Sequence, residues 1–197
     1  MAKKLSWMIL LLAILPFALL CGCGEMGKVD QGRVIAFDKN KETVTFIVDV
    51  KHDPANPDYS GAPLTFALPK DPAERGEDPK FGKRIKLDTK TKEITIYDVA
   101  SKGVKKIPYS LIDEKDGVDR NNPLVAGKKF PAVDKAKKTV TIYSGRQKIL
   151  ITFSLPEEYF ALPDDTWEAG DEVRVYYKEP GQALRFMNIT RTDIFKK

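Results

Sequence analysis

The sequence predicts an all-β protein built from two tandem small OB-like β-barrels that follow an N-terminal apolar segment. Two observations favour this fold class: apolar and polar residues alternate with a period of two in many short segments, and three blocks of sequence occur twice in the same order. No segment keeps a helical period over several turns, so helices are expected to be short and few.

The predicted strands are short segments rich in β-branched and aromatic residues, bounded by polar turns or by Pro and Gly. In the first half they are residues 34–37, 43–50, 64–68, 84–87 and 93–97. In the second half they are residues 130–133, 139–143, 149–155, 172–177 and 183–190. A set of short strands with a long irregular connection is typical of a small twisted barrel.

The repeated blocks favour a tandem duplication. Residues 38–46, 64–69 and 82–87 resemble residues 134–142, 151–156 and 170–175. The first pair reads DKNKETVTF and DKAKKTVTI, a polar turn followed by an alternating strand. One match could arise from any hairpin, whereas three matches in the same order indicate that the two halves share a topology.

The domain plan follows from these repeats. We expect a signal peptide at 1–22, a lipidated tether at 23–30, a first barrel at 31–100, a linker at 101–125 and a second barrel at 126–197. The linker assignment depends on the Gly and Pro residues spread among its charged residues. A single continuous sandwich in which both halves share one core stays open, because a lone barrel of this size buries little surface.

The N-terminus has the three parts of an export signal. Lys3 and Lys4 precede an apolar run at 5–20, which is interrupted by Pro16 and is short for a membrane-spanning helix. The segment that follows, LCGC at 20–23, resembles the lipobox of bacterial lipoproteins. Cys23 is the predicted lipidation site because small Gly22 precedes it, whereas bulky Leu20 precedes Cys21.

The lipoprotein resemblance implies a compartment. It implies acyl chains on Cys23, and two or three such chains make a lasting membrane anchor. The protein would then lie in the cell envelope facing the periplasm. In a host with two membranes, Gly24 in place of an aspartate favours the outer over the inner membrane.

Cysteine content and charge exclude several function classes. Cys21 leaves with the signal and Cys23 carries lipid, so the mature chain would have no disulfide and no thiol chemistry. Loss of Lys3 and Lys4 lowers the formal charge from +5 to +3, and the remaining charges alternate in sign. That distribution is typical of a solvated surface, so no nucleic acid partner is expected.

Few residues are candidates for chemistry. His52, the single histidine, is interpreted as a loop residue without a catalytic role. Two acidic stretches, 113–119 and 164–171, could hold a cation loosely, but the first does not fit an EF-hand. We therefore predict no catalytic residue, no cofactor and no metal. Aromatic residues near the C-terminus are interpreted mainly as core: Tyr159, Phe160, Trp167, Tyr176, Tyr177, Phe186 and Phe195.

The lipobox, the repeated strands and residues 176–190 together resemble an uncharacterised lipoprotein family of sulfate-reducing bacteria. That resemblance implies no activity and no site. The expected function is therefore a non-enzymatic binding or structural module, attached to the membrane through its lipid anchor, with an envelope protein, peptide or glycan as its partner. The alternative is a secreted hydrolase or metal-dependent enzyme that uses acidic loop residues.

Overall fold

The computed structural model describes residues 26–52 and 57–192. Across these residues twelve strands form three antiparallel sheets, so the all-β prediction is confirmed. The strands are β1 (Lys28–Asp38), β2 (Thr43–Val48), β3 (Pro63–Ala67), β4 (Arg84–Asp88), β5 (Glu93–Asp98), β6 (Gly103–Pro108), β7 (Ser110–Lys115), β8 (Ala132–Asp134), β9 (Thr139–Ser144), β10 (Ile149–Ser154), β11 (Glu172–Tyr177) and β12 (Arg185–Asn188).

The helices of the described residues are short 3₁₀ turns, as the lack of a helical period predicts. They span Pro72–Glu74, Glu157–Ala161 and Asp164–Trp167. Within residues 26–52 and 57–192, none has the length and apolar character of a membrane-spanning helix.

The strand order corrects the prediction of tandem barrels. The five-stranded sheet has the order β12-β11-β1-β2-β3, the three-stranded sheet β4-β5-β6 and the four-stranded sheet β7-β10-β9-β8. None of these sheets closes into a barrel in the described part of the chain, so the two OB-like barrels are not confirmed. The predicted linker at 101–125 contains two strands, β6 and β7.

The length of β1 explains why the first sheet combines both ends of the chain. The first half of β1 pairs with β11, with Lys28 opposite Tyr177 and Arg33 opposite Glu172. Its second half continues beside β2, up to Asp38 opposite Thr43. One strand of eleven residues can therefore hold two neighbours. As a result, β4 to β10 form an insertion between β3 and β11.

Two cores result from the period-two alternation. The three- and four-stranded sheets enclose one core and together form a sandwich. Its largest buried side chains include Trp167 and Phe153. The five-stranded sheet encloses a second core around Phe46, Phe66 and Phe186. A small third cluster of Ile35, Ile47, Tyr59 and Ile85 joins the outer face of β1 and β2 to the start of the sandwich.

The repeated DKxK segments are hairpin loops of one type rather than marks of two duplicated domains. Five hairpins of the described chain have four-residue loops: 39–42, 89–92, 99–102, 135–138 and 145–148. The last residue of each loop has a φ between 51° and 54°. In the 38–42 and 88–92 hairpins, the first aspartate accepts backbone N–H groups two and three residues later. The likeness between residues 38–46 and 134–142 therefore has a local cause, because a turn that begins with aspartate favours this type of loop.

The third pair of matched blocks begins at Gly82 and at Gly170. The chain crosses from the five-stranded sheet to the sandwich near Gly82 and returns near Gly170. Gly82 donates its N–H to the Val34 carbonyl at 3.3 Å. A Cβ on Gly170 would lie 1.8 Å from the Val34 oxygen and 3.3 Å from the Gly82 nitrogen. The two glycines therefore lie against each other and against β1. Only a residue without a side chain permits that approach.

Candidate functional site

A pocket of about 340 Å³ lies at this crossing, between the five-stranded sheet and the sandwich. We call it the junction pocket. Clefts between packed units are common places for small-molecule sites. Its charged, hydroxyl and aromatic lining residues come from segments distant in sequence: Lys80, Arg84, Arg120, Phe130, Tyr143 and Thr190.

Arg84 is the buried cation of the junction pocket. It is the first residue of β4 and is only 8% exposed. Its Nε donates to the Trp167 carbonyl at 2.9 Å, and its backbone N–H donates to the Glu168 carbonyl at 2.9 Å. Among the described residues, no carboxylate lies within 4 Å of the guanidinium, and its two terminal nitrogens have no hydrogen-bond acceptor. The two terminal nitrogens are not fully enclosed and are open to the pocket that Arg84 lines. A largely buried charge without a carboxylate partner is still costly.

The electrostatics of Arg84 reflect that burial. Removal from water, followed by repulsion from nearby Arg33, lowers the pKa of Arg84 to about 9, and the charge of Glu168 opposes this effect only in part. The folded protein therefore disfavours the charged form of this side chain. An anion bound beside Arg84 would restore the missing partner.

Two further cations and a hydroxyl line the same pocket. Lys80 pairs with Glu168 at 2.6 Å. Arg120, in the connection between β7 and β8, has no ion-pair or hydrogen-bond partner within the described ranges. The Thr190 hydroxyl oxygen accepts the Glu172 backbone N–H at 2.7 Å, so its own proton is available to a ligand. These groups are donors, and donors bind oxyanions.

Aromatic rings form the less polar wall. The Phe130 and Tyr143 rings lie 6.1 Å apart between centroids and are tilted by 55°. The Tyr143 hydroxyl donates to the Val118 carbonyl at 3.1 Å, which fixes the ring. A ligand with both an anionic group and an apolar or ring portion would find a surface for each.

Beside the pocket, Glu172 is held by an ordered polar network. It accepts from the Tyr59 hydroxyl at 2.5 Å, from Gln31 at 3.2 Å and from Arg33 at 3.4 Å. Burial raises the pKa of Tyr59 to about 12; Arg33 lowers it and Glu172 raises it further. Tyr59 therefore stays protonated at neutral pH and donates to Glu172. Because this carboxylate is already partnered, it is not available to neutralise Arg84.

Residues 25–197 match the family described as a domain of unknown function (DUF4881). The chain belongs to the DUF4881 family. No curated protein matches it. No solved structure matches it. The junction pocket and the Glu172 network both lie within the matched residues.

The structure describes some of the predicted site residues of this DUF4881 chain. Cys23, the predicted lipidation site, lies outside the described residues. His52 is exposed, with a φ of 51°, in the loop after β2. The next residue, Asp53, lies outside the described residues. His52 is not among the residues that line the junction pocket.

The acidic stretches of the DUF4881 chain are spread over separate contacts. Asp119 pairs with Lys148 at 2.9 Å and Glu168 with Lys80. The Asp171 carboxylate accepts the Lys80 backbone N–H and the Asn188 amide. Within the described ranges, no three acidic, histidine or cysteine side chains gather as a group that could hold a metal ion.

The C-terminal aromatic residues of the DUF4881 chain mostly pack in the cores, as interpreted from the sequence. Phe160, Trp167, Tyr177 and Phe186 are buried. Tyr176 and Tyr177 point to opposite faces of β11, because Tyr176 lines a surface groove while Tyr177 is in the core. Phe195 lies outside the described residues.

Sequence reasoning missed the cations of the junction pocket. Arg84 directly precedes the apolar residue Ile85 in a predicted strand. In a strand with alternating polar and apolar residues, a charged residue at such a position normally faces solvent. Lys80 and Arg120 lie in irregular segments rich in charge. The one available signal was the glycine two residues before Arg84, which marks a close approach of two chain segments.

Proposed function

We propose that this DUF4881 protein is a lipid-anchored envelope protein that binds a small anionic ligand in the junction pocket. The observation that carries the proposal is the buried guanidinium of Arg84, whose terminal nitrogens have no acceptor among the described residues. Folding a protein around an unpaired cation costs stability, and a ligand that supplies the counter-charge would offset this cost.

The chemistry of the lining indicates the ligand class. Arg84 and Arg120 present guanidinium forks that match the geometry of a phosphate or carboxylate. Phe130 and Tyr143 offer apolar faces to the remainder of the ligand. A volume of about 340 Å³ suits a small molecule or the terminal group of a peptide or glycan.

Binding is favoured over catalysis by the residue types present. The lining of the junction pocket consists of cations, a hydroxyl and aromatic or small residues, and it has no carboxylate, imidazole or thiol among its described members. General acid–base catalysis most often uses such a group. Lys80 and Tyr143, which could also act in this way, are already paired with Glu168 and with the Val118 carbonyl. The proposal is therefore a non-enzymatic binding module whose partner carries an oxyanion.

The anchor is proposed from the lipobox at 20–23. Replacing Cys23 by serine is expected to abolish labelling by a fatty-acid analogue and to release the protein from membranes, because the acyl chains supply the attachment. Cys21→Ser is the matched control and should leave labelling intact. Full membrane retention of the Cys23→Ser protein would contradict the anchor.

Isothermal titration with inorganic phosphate tests the pocket. In a buffer free of phosphate and sulfate, we expect saturable binding by the wild-type protein. Arg120→Gln should weaken the binding about tenfold or more, because one charge-assisted hydrogen bond contributes roughly 1.5–3 kcal/mol. Lys106→Gln removes the same charge from β6, outside the pocket, and should change little.

Equal loss of affinity in Arg120→Gln and Lys106→Gln would contradict the proposal. That result would show that phosphate responds to the overall positive charge of the protein and not to the geometry of the junction pocket.

A further inference from the structure

A second concavity, of about 680 Å³, lies on the outer face of the five-stranded sheet at the end remote from the sandwich. We call it the β12 groove. The residues that matter for its chemistry are Val29, Arg174, Tyr176, Leu184, Arg185 and Met187. The groove is lined by β1, β11, β12, the connection before β12 and Glu74 of the 3₁₀ turn Pro72–Glu74. It shares none of the junction pocket lining.

The β12 groove is apolar and open to solvent. Val29 is 48% exposed and Leu184 is 45% exposed. Met26, three residues before Val29, is 93% exposed. At the far end of this face of β1, Ile35 is covered by contact with Ile85 of the sandwich. On this face β1 is therefore uncovered at its N-terminal end, around Val29, and an exposed apolar patch of this kind marks an interaction surface.

The start of β1 is fixed in place beside the groove. Val29 is opposite Tyr176 in the antiparallel ladder. The Tyr176 ring lies so close to Gly27 that a Cβ on this glycine would be 2.3 Å from the ring carbon Cε2. This contact fixes the path of the chain at the start of β1. The N-terminal side of β1 therefore lies at the edge of the groove.

The proposed anchor would bring this edge to a membrane. Cys23 precedes Val29 by six residues, and an extended chain covers at most about 3.5 Å per residue. The acylated residue would thus lie within roughly 21 Å of the groove. A groove so tied stays within reach of the lipid surface whenever the protein is anchored.

The charges of the groove match an acidic lipid surface. Arg174 donates from Nε and Nη2 to the side-chain oxygen of Gln31, so its charge has no carboxylate partner in the described part of the chain. Arg185 pairs with Glu74. The lining of the groove thus holds two arginines and one glutamate. The surroundings of the groove are therefore net positive, which favours contact with anionic headgroups.

We infer that the β12 groove is the face that the protein lays on the bilayer, with Val29, Leu184 and Met26 at the boundary between headgroups and acyl chains. Arg174 then faces the lipid phosphates. Apolar side chains flanked by cations are the combination that holds a surface at this depth. The inference rests on the proposed lipid anchor at Cys23.

Depth-dependent quenching in vesicles tests the inference on the full-length lipidated protein. A fluorophore is attached to Leu184→Cys or, as the matched control, to Ile112→Cys, which replaces an exposed apolar residue of β7 in the sandwich. With Cys21 cleaved and Cys23 acylated, the introduced cysteine is the single thiol. The vesicles contain phosphatidylethanolamine and phosphatidylglycerol, with a quencher on the acyl chains.

We expect both proteins to float with the vesicles and the label at 184 to lose several-fold more fluorescence than the label at 112. Equal quenching at the two positions in protein that floats would overturn the inference and leave the anchor intact. Failure of both proteins to float would refute the anchor and, with it, the inference. Unchanged thermal unfolding midpoints establish that the labelled variants are folded.

Discussion

Replacing Arg84 by methionine is expected to stabilise the anion-free protein by about 1 kcal/mol, although it deletes a residue of the proposed binding site. The variant removes a buried guanidinium that has no carboxylate partner among the described residues, and methionine fills a similar unbranched path. Loss of the Nε hydrogen bond to Trp167 offsets part of the gain. Chemical unfolding in phosphate-free buffer measures the difference.

The same variant should lose its response to ligand. A saturating anion stabilises the wild-type protein by about 2.7 kcal/mol at a concentration one hundred times its dissociation constant. Arg84→Met should gain almost nothing. If the variant is instead destabilised by several kcal/mol without anion, Arg84 is a satisfied structural residue and the proposed function loses its main support.

Gly170→Ala is expected to destabilise the protein by about 3 kcal/mol. The added Cβ would lie 1.8 Å from the Val34 carbonyl oxygen, which is backbone and cannot swing away. Relief requires a shift of β1 or of the segment that returns from the sandwich to β11. Thermal or chemical unfolding measures the effect, and phosphate binding should also weaken because Ala169 lines the junction pocket.

Gly103→Ala is the matched control. An added Cβ at Gly103 would meet nothing closer than 3.8 Å, so its effect should stay within about 1 kcal/mol. Equal stability of the Gly170→Ala and wild-type proteins would contradict the close approach of the two crossings.

The strands could be predicted from the sequence because their signal is local. The predicted strand at 172–177 has the bounds of β11, and those at 93–97 and 149–155 differ from β5 and β10 by one residue at one end. Alternation places Ile94 and Ile96 in the core for the same reason as Val140 and Ile142. Period-two alternation depends on which face of a strand is buried. It does not depend on which strand pairs with that strand.

The pairing of the strands could not be predicted in this way. The choice between β11 and an early strand as the partner of β1 depends on contacts far apart in sequence, and the alternating pattern is equally compatible with both. The matched blocks at 38–46 and 134–142 favoured a duplication, yet four-residue loops of one type account for the likeness. Similar turns select similar residues wherever they occur.

The junction pocket was beyond sequence reasoning for the same physical reason. Its residues come from the β4 start, the β7–β8 connection, β9 and the segment after β12. Each cation alone resembles a surface charge, and only the crossing at Gly82 and Gly170 brings them together. The lipidation of Cys23, by contrast, is predicted from adjacent residues alone, and Cys23 lies outside the described residues.

Arsenate in crystals of the protein is the most direct test of the central claim, because arsenate has the shape and charge of phosphate and can be located by its anomalous scattering. We expect the strongest arsenic peak in the junction pocket, within hydrogen-bond distance of the Arg84 terminal nitrogens and near Arg120. Arsenate bound only at other surface sites, with the Arg84 guanidinium satisfied by ordered water, would contradict the proposal.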